Sequence, residues 1–373
     1  MRMSLSHSLF QGLKRQLYPV TSLLIVRATL VRGVLAEGEE PVRVLLVGGG
    51  WFIRRIAGLF TAPAEQLWSV RIPAPLLGRF LWRRMDAYAL AFMVLSPVHR
   101  QLFSPPGCRR GRLQVCQTLA LEGGWDEVRS RFSRRLRRAL NHFESRRGYA
   151  CRISRALEDF EVFCDRMYVP TARARFGMHA NLTSREQLRA TFDQGYLLLV
   201  ERHGEPVAAA LCIDEGRVLR SRKGGVLDGD IAHVRDGADV AMYYFLIRHA
   251  LQQGHRELDC GEGMPLLSDG VVRHKAQWGA VLRESLREPE FFEVLPGKSL
   301  RDTRRVLARH PILLLGDGGL KLLAAQPLDA EAWSACDLQP LLQRWRKLGL
   351  KQAEVLTDDG WREYDLREPI SDG

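Results

Sequence analysis

The chain has 373 residues, of which 46% are hydrophobic and 26% are charged, and this composition excludes an intrinsically disordered protein. Since domains usually hold roughly 100–200 residues, the length indicates more than one folded unit. The formal net charge of +12 favours an anionic partner, such as a nucleotide cofactor, a tRNA, a phosphorylated sugar or an anionic membrane face, without choosing among them.

The cysteine and hydropathy patterns indicate an intracellular protein. The seven cysteines are widely spaced and include no Cys-x-x-Cys pair, which argues against a disulfide framework and a zinc site. No stretch reaches the ~18–20 apolar residues of a transmembrane helix, and the N-terminus lacks a signal-peptide pattern. We therefore expect a cytoplasmic protein with reduced thiols, no metal and no transmembrane segment, for which peripheral contact with a membrane stays open.

Residues 1–112 are expected to form an N-terminal α/β unit. Val, Leu and Ile concentrate in residues 22–47, which predicts two strands joined by a turn. The three glycines 48–50 follow the second strand, but their spacing differs from that of a dinucleotide-binding loop, so we interpret them as a flexible turn. A further strand is predicted at residues 87–95.

Residues 113–297 carry the clearest pattern, and we expect them to form the core. A predicted strand at residues 113–121 precedes a helix whose apolar residues, from Trp125 onward, recur three and four apart until Gly148 ends it. Two further helices follow, and Thr183 to Glu186 reads as a capping box for the second of them. The exposed face of the first helix is basic, with Arg129, Arg131, Arg134, Arg135, Arg137 and Arg138.

A meander of three strands, a long helix, a strand, a short helix and a final strand complete this core. They are predicted at residues 196–201, 206–213, 217–223, 239–253, 257–260, 271–278 and 280–286. The order predicts a mixed α/β unit with an α+β type of mixed sheet, not an alternating barrel. Residues 298–373 show separate helix signals and a tight-turn sequence, and predict a small helical and hairpin C-terminal region.

Four stretches of this core resemble the GNAT-fold acyltransferases, in particular the FemAB-like branch that includes acetyltransferases of polysaccharide clusters. These stretches are the basic helix at residues 130–140, the meander at 195–211, Glu257-Leu-Asp-Cys-Gly261 and His274-Lys-Ala-Gln-Trp-Gly279. The resemblance implies a GNAT-like fold, with the N-terminal region as a reduced GNAT-like half.

The resemblance also implies where the acyl donor binds. In GNAT folds two neighbouring parallel strands separate, and the donor lies in the gap; here these strands would be residues 217–223 and 257–260. The helix that follows the first strand would offer its N-terminus, at Gly237, Ala238 and Asp239, to an anion of the cofactor. The sequence departs from the family's usual pyrophosphate loop, because Asp236 and Asp239 oppose phosphate binding.

Four residues are candidates for catalysis. Asp259 positions or deprotonates an amine, or alternatively caps the backbone of its loop. Glu262 is a base or a solvated loop charge. Lys275 binds a phosphate or carboxylate, or forms a salt bridge to Asp259 or Glu262. Tyr244 is a general acid or lines the donor slot.

The remaining candidates are binding residues. Arg220, Arg222 and Lys223 are expected to bind the cofactor's phosphates, since the two-residue period of a strand places the first two on one face. Trp278 and Tyr243 are expected to contact the substrate, with a core position as the alternative for each aromatic ring.

Together these observations predict an N-acyltransferase that moves an acyl group from acyl-CoA to an amine of an amino sugar, an amino acid or an envelope precursor. A tRNA-dependent FemAB-like aminoacyltransferase is the first alternative, with the arginine-rich helix as its RNA contact. A non-catalytic GNAT-like binding module is the second. We expect no DNA partner and no metal cofactor.

Overall fold

The computed structural model describes residues 25–97, 99, 105–146, 148–177, 180–287, 290–326 and 335–367. Contacts divide the chain into two compact units. Unit 1 comprises residues 1–113, 286–339 and 351–373, and unit 2 comprises residues 114–285 and 340–350. Within the described ranges, no helix is both long enough and apolar enough to cross a membrane.

The described residues form seventeen strands. In chain order they are β1 Ile25–Gly33, β2 Val42–Gly48, β3 Glu65–Pro73, β4 Leu90–Val94, β5 Arg109–Arg112, β6 Val115–Ala120, β7 Tyr149–Ser154, β8 Tyr196–Arg202, β9 Glu205–Glu215, β10 Val218–Val226, β11 Glu257–Gly263, β12 Val281–Glu284, β13 Phe291–Pro296, β14 Ile312–Gly316, β15 Gly319–Ala325, β16 Gln352–Thr357 and β17 Gly360–Asp365.

The helices follow the same order through the described segments. They are α1 Trp51–Ile56, α2 Leu77–Arg83, α3 Gly124–Ser130, α4 Arg134–Arg146, α5 Leu157–Val162, α6 Val169–Phe176, α7 Arg185–Asp193, α8 Ile231–Asp236, α9 Ala238–Gln252, α10 Gly270–Gln277, α11 Leu300–Arg309 and α12 Ala335–Lys347, and a π-helical turn, Phe163–Tyr168, joins α5 to α6.

Unit 1 is built on a six-stranded sheet in the order β3-β1-β2-β4-β13-β5. Its neighbouring strands are antiparallel except β2 and β4, which run parallel. The two strands predicted in residues 22–47 are confirmed as the β1–β2 hairpin from Ile25 onward, while residues 22–24 lie outside the described residues. A second sheet, β14-β15-β16-β17, contains the hairpin predicted near the C-terminus.

The structure divides the chain differently from the sequence at the C-terminal end. The predicted boundary near residue 113 coincides with the start of unit 2. Strand β13, which the sequence assigns to the core, instead pairs with β4 and β5 of the N-terminal sheet, where Phe292 stacks on Phe52 with ring centroids 4.8 Å apart. Residues beyond 298 group largely with unit 1, and independent folding of this tail stays a prediction.

Unit 2 is a seven-stranded mixed sheet in the order β12-β6-β11-β10-β9-β8-β7. Strands β10 and β11 run parallel, and α9 connects the end of β10 to the start of β11. On one face α9 packs with α3 and α4 around a core that includes Leu198, Leu246 and Trp278; on the other, α5 and α7 pack around Phe160 and Phe192. This architecture confirms the predicted mixed α/β class.

Three local predictions for unit 2 need correction. The single basic helix is two helices: the first ends at Ser130, and the Ser133 hydroxyl accepts the main-chain N–H of Leu136 at the start of the next. The capping box of α7 is formed by Ser184 and Gln187, one residue later than predicted. Strand β7 was not expected, because most of its side chains are exposed and it pairs at the sheet edge.

Two adjacent glycines on β10 have different surroundings. A side chain at Gly225 would collide with the main chain of Met167 in the π-helical turn. A side chain at Gly224 would lie 3.1 Å from the thioether sulfur of Met242, a flexible side chain that can move. Gly225 therefore allows the close approach of β10 to this turn, whereas Gly224 is not required for it.

We expect Gly225→Ala to lower the free energy of unfolding by about 1–3 kcal/mol, the usual cost of overpacking. The neighbouring change Gly224→Ala serves as the control and should alter it by about 1 kcal/mol or less in either direction. Urea unfolding of both variants measures the difference. Equal stability of the two variants would contradict the packing shown for Gly225.

Candidate active site

The candidate active site lies in unit 2, where β10 and β11 separate. The two strands share three ladder pairs, ending at Arg220↔Asp259, although both strands continue beyond this point. The register of β10 against β9 shifts after Ser221, and that of β11 against β6 shifts after Asp259. Where a parallel pair separates, main-chain groups along its facing edges become available to a substrate carbonyl.

Gly261 makes the bend in β11 possible. Its φ is +77°, a left-handed conformation that residues with a side chain rarely adopt, and an added Cβ would lie 2.8 Å from the main-chain oxygen of Ser221. The two strands therefore stay in close contact at the point where their ladder stops. The sequence placed this glycine next to a candidate base, but the bend depends on its conformation.

Asp259 is buried, with 3% of its surface exposed, and it accepts three hydrogen bonds. Arg220 Nη1 donates to its Oδ2 at 3.0 Å, and the Cys116 thiol and the Gly261 N–H donate to its Oδ1 at 3.2 and 2.8 Å. The guanidinium and the two further donors engage both oxygens of this carboxylate with groups of the protein itself. This geometry favours the predicted alternative, in which Asp259 fixes the loop backbone.

Lys275 is as buried as Asp259, and its side chain stabilises the bend in β11. Its ammonium donates to the main-chain oxygens of Gly261 and Glu262 at 2.8 and 2.9 Å. Burial lowers the pKa of this lysine, and the nearby thiols and carboxylates counteract that effect. The predicted salt bridge is thus replaced by two bonds to backbone carbonyls, and the ammonium is directed at the protein rather than at a ligand.

Glu262 is half-buried on the same bend. Its Oε1 accepts a hydrogen bond from the Ser285 hydroxyl at 2.6 Å. Its carboxylate is more accessible than that of Asp259, so it stays a candidate base.

The three basic residues of β10 are not equivalent. Arg220 is committed to two carboxylates, since its Nε lies 2.6 Å from Glu215 and its Nη1 donates to Asp259. The register shift after Ser221 interrupts the alternation of side chains at Arg222. The two-residue period of the strand therefore does not place Arg222 on the same face as Arg220. Arg220 therefore does not offer this cluster the free guanidinium that the sequence suggested for phosphate binding.

Gly237, Ala238 and Asp239 do form the start of α9, as predicted. Gly237 has a φ of +97° and lets the chain turn directly from α8 into α9. Asp239 Oδ1 accepts the main-chain N–H of Val240 at 2.9 Å. A carboxylate therefore already lies at the positive end of this helix, where the resemblance led us to expect a cofactor anion.

The aromatic candidates divide between core and site. Trp278 is completely buried and stacks on Tyr243 with ring centroids 5.5 Å apart. In this structure it is therefore a core residue that packs against the site and does not line it. Burial and the Cys260 thiol raise the pKa of Tyr243, which keeps its hydroxyl protonated. Tyr244 faces the other way and packs edge-on against Trp125 at 5.3 Å.

A histidine that the sequence reasoning missed lies beside these residues. The ring of His274 is 5.0 Å from that of Tyr243, and its Nδ1 lies 3.9 Å from Asp239 Oδ2. Its buried Nε2 has no hydrogen-bond partner among the described residues. Burial lowers the pKa of His274; the Asp239 carboxylate opposes this, and Arg175 and Lys275 lower it further. In the sequence, the feature that could have identified His274 is its position immediately before Lys275.

The site thus contains a neutral imidazole, a half-buried carboxylate and a protonated phenol next to two separating strands. Such a set can accept a proton from an amine and donate one to a leaving group. Among the described residues, no group of three His, Cys, Asp or Glu side chains is arranged to hold a metal ion.

The family model described as "Acetyltransferase (GNAT) domain" matches residues 130–265. This segment contains α4, the meander, α9 and β11, and so includes both strands of the candidate site. Residues 130–265 therefore match the GNAT acetyltransferase family, as predicted. No curated protein matches the chain.

Similar solved structures are distant. The C-terminal domain (DUF2156) of a putative lysylphosphatidylglycerol synthetase from Agrobacterium fabrum is 14% identical, covering 75% of this chain and 86% of that one with a TM-score of 0.31. FemX is 12% identical, covering 71% and 83% with a TM-score of 0.38. A tandem GNAT protein from the clavulanic acid biosynthesis pathway is 13% identical, covering 72% and 83% with a TM-score of 0.27. Likeness at this level does not support a function.

We expect Lys275→Met to lower the free energy of unfolding by about 1–3 kcal/mol, because two carbonyls at the bend lose their donor. Arg273→Met, an exposed change on the same helix, should stay within about 0.5 kcal/mol. Chemical unfolding of the ligand-free protein measures both. If Lys275→Met were as stable as wild type, the ammonium would not be holding the bend, and its role as a ligand for phosphate would regain support.

Proposed function

We propose that unit 2 catalyses N-acyl transfer from acyl-CoA to a primary amine of an amino sugar, an amino acid or an envelope precursor. The observation that carries this proposal is that the β10–β11 ladder ends at Arg220↔Asp259 although both strands continue, within the segment that matches the GNAT family. The main-chain groups of the separated edges would bind the thioester carbonyl and stabilise the oxyanion as it forms.

In this proposal the amine nitrogen attacks the carbonyl carbon, and the C–N bond forms. The tetrahedral intermediate then collapses, the C–S bond breaks, and the sulfur leaves with the bonding electron pair. The nitrogen loses one proton to a base, and the thiolate gains one from an acid, so the products are an amide and a free thiol. Asp259 and Lys275 act as positioning residues that hold β11 in its bent form.

His274 is our first choice of base, with Glu262 as the alternative. The lowered pKa of His274 keeps the imidazole neutral at pH 7, and its Nε2 is uncommitted among the described residues. Tyr243 is proposed as the acid, because its ring lies 5.0 Å from that of His274, the proposed base. Tyr244 is a less favourable acid than the sequence suggested, since its ring packs against Trp125 and Phe245.

The proposal places the protein in the cytoplasm. The placement rests on the wide spacing of the cysteines, and the six in the described ranges are not joined in disulfides.

A second donor, charged tRNA, is favoured by one specific observation. Acyl-CoA binding would bring phosphates towards the N-terminus of α9, where Asp239 already bonds the backbone and Asp236 pairs with Arg202 at 2.8 Å. Arg134, Arg135 and Arg138 of α4 are exposed, which suits contact with an RNA backbone. These features fit the FemAB-like branch, whose tRNA-dependent members do not need the complete pyrophosphate loop.

The base assignment predicts a pH profile. Because the pKa of His274 is lowered, kcat/KM should be constant near neutral pH and fall at an apparent pKa below about 6.5 as the imidazole becomes protonated. His274→Asn should lose at least about 10²-fold in kcat and lose this acid limb. His203→Asn, at an exposed histidine, is the control and should keep both rate and profile. Loss of the limb in Glu262→Gln but not in His274→Asn would transfer the role to Glu262.

The donor assignment predicts the effect of one carboxylate. Asp239→Asn should tighten coenzyme A binding roughly two- to fivefold, since it removes a negative charge that competes with phosphate at the N-terminus of α9. Asp126→Asn, in the first turn of α3, is the matched control and should leave binding unchanged. Isothermal titration at low salt measures both. If coenzyme A gives no heat with any variant while tRNA binds in a salt-sensitive way, tRNA is the donor.

A further inference from the structure

Unit 1 contains a cavity of about 660 Å³ that is open to solvent. It lies at the carboxyl ends of the parallel strands β2 and β4, whose last ladder pair is Gly48↔Val94. Its volume is in the range of small-molecule sites. In open sheets, ligands bind outside the carboxyl ends of parallel strands, so the position is also that of a binding site.

Two arginines in this cavity face each other. Arg27 of β1 and Arg71 of β3 are direct partners in the antiparallel ladder, and both line the cavity. Like charges directly opposite one another destabilise a sheet. Within the part of the chain that the structure describes, neither guanidinium pairs with a carboxylate, and the cavity lining includes no Asp or Glu. An anion between the two arginines would remove this repulsion.

The three glycines 48–50 are part of the cavity lining and contribute no side chains to it. Gly48 has a φ of +92°, and a side chain there would collide with the main chain of Val94. At Gly49 and Gly50 an added Cβ would meet nothing within 4 Å. The glycines that the sequence assigned to a turn thus also keep the cavity open.

The remaining lining is mixed. Ile25, Val94 and Leu95 provide apolar surface, and Ser96 and His99 provide polar groups. A ligand that fits this lining has a compact anionic group and an adjoining organic part. Two guanidinium groups match the several oxygens of a phosphoryl group better than the two oxygens of a carboxylate.

We propose that this cavity binds a phosphorylated small molecule, with Arg27 and Arg71 on its phosphoryl oxygens and its organic part against the apolar wall. This site is separate from the acyl-transfer site in unit 2 and does not depend on that assignment. A phosphoryl group is common to soluble phosphate esters and to lipid headgroups, and the proposal commits to the soluble ester.

The probe is phenyl phosphate, which combines a phosphate monoester with an apolar ring; inorganic phosphate and benzoate each lack one feature. Isothermal titration of the full chain should show phenyl phosphate binding at least about tenfold more tightly than either. Arg27→Gln and Arg71→Gln should each weaken this binding at least about tenfold. Arg79→Gln, an exposed arginine of α2 that does not line the cavity, should leave it unchanged.

Thermal unfolding provides a readout that needs no ligand. Arg71→Gln should raise the melting temperature of the ligand-free protein by relieving the repulsion, and should abolish the further rise that phenyl phosphate gives to wild type. Arg79→Gln should change neither. The proposal is overturned if phenyl phosphate does not bind, or binds equally to wild type and both cavity variants.

Vesicles containing phosphatidylglycerol distinguish the source of the phosphoryl group. One outcome is that the protein sediments with these vesicles only when Arg27 and Arg71 are present, and at the same time fails to bind phenyl phosphate. That result would assign the site to lipid and refute the soluble ligand. His274→Asn should bind phenyl phosphate like wild type, so failure of the acyl-transfer assignment and failure of this one are separable.

Discussion

The buried ammonium of Lys275 is the interaction on which the candidate active site depends. It donates to two consecutive main-chain oxygens, those of Gly261 and Glu262, and so stabilises β11 in a bent form that leaves the ladder with β10. Moving a lysine out of water is costly, and its depressed pKa reflects that cost. The two hydrogen bonds and the nearby Asp259 carboxylate offset it. Without a cation in this position, two carbonyls of the bend would face the interior unsatisfied.

Asp259 stabilises the same bend from the opposite side. It connects three segments that are distant in sequence, through Cys116 of β6, Arg220 of β10 and the N–H of Gly261. Arg220 pairs with both Asp259 and Glu215. The charged side chains nearest the end of the β10–β11 ladder are therefore already paired within the protein. The proposed chemistry therefore rests on groups that are less committed, namely His274, Glu262 and Tyr243. In the proposed mechanism, structural and chemical roles fall to the neighbouring residues Lys275 and His274.

The sheets of the two units share one feature. The six-stranded sheet of unit 1 contains one parallel pair, β2 and β4, and the seven-stranded sheet of unit 2 also contains one, β10 and β11. In each unit the candidate ligand site lies at this pair, and a glycine with positive φ, Gly48 or Gly261, allows the close approach that shapes it. This parallel supports the hypothesis of a reduced GNAT-like half at the N-terminus.

The sequence by itself determined the elements whose residues are close together in the chain. The meander of β8 to β10, the helix α9 and strand β11 follow from local periodicity and turn residues, and the short stretches around Asp259 and Lys275 directed attention to a candidate site in unit 2. Local pattern could not assign β13 to the N-terminal sheet, because its partners in β4 and β5 lie about 180 to 206 residues earlier in the chain. It could not distinguish a buried Trp278 from a substrate contact, since the two differ only in what covers the ring. Nor could it show that Lys275 binds carbonyls, that Arg220 is neutralised, or that Arg27 faces Arg71, because each depends on strand register and long-range packing, which only the tertiary structure decides.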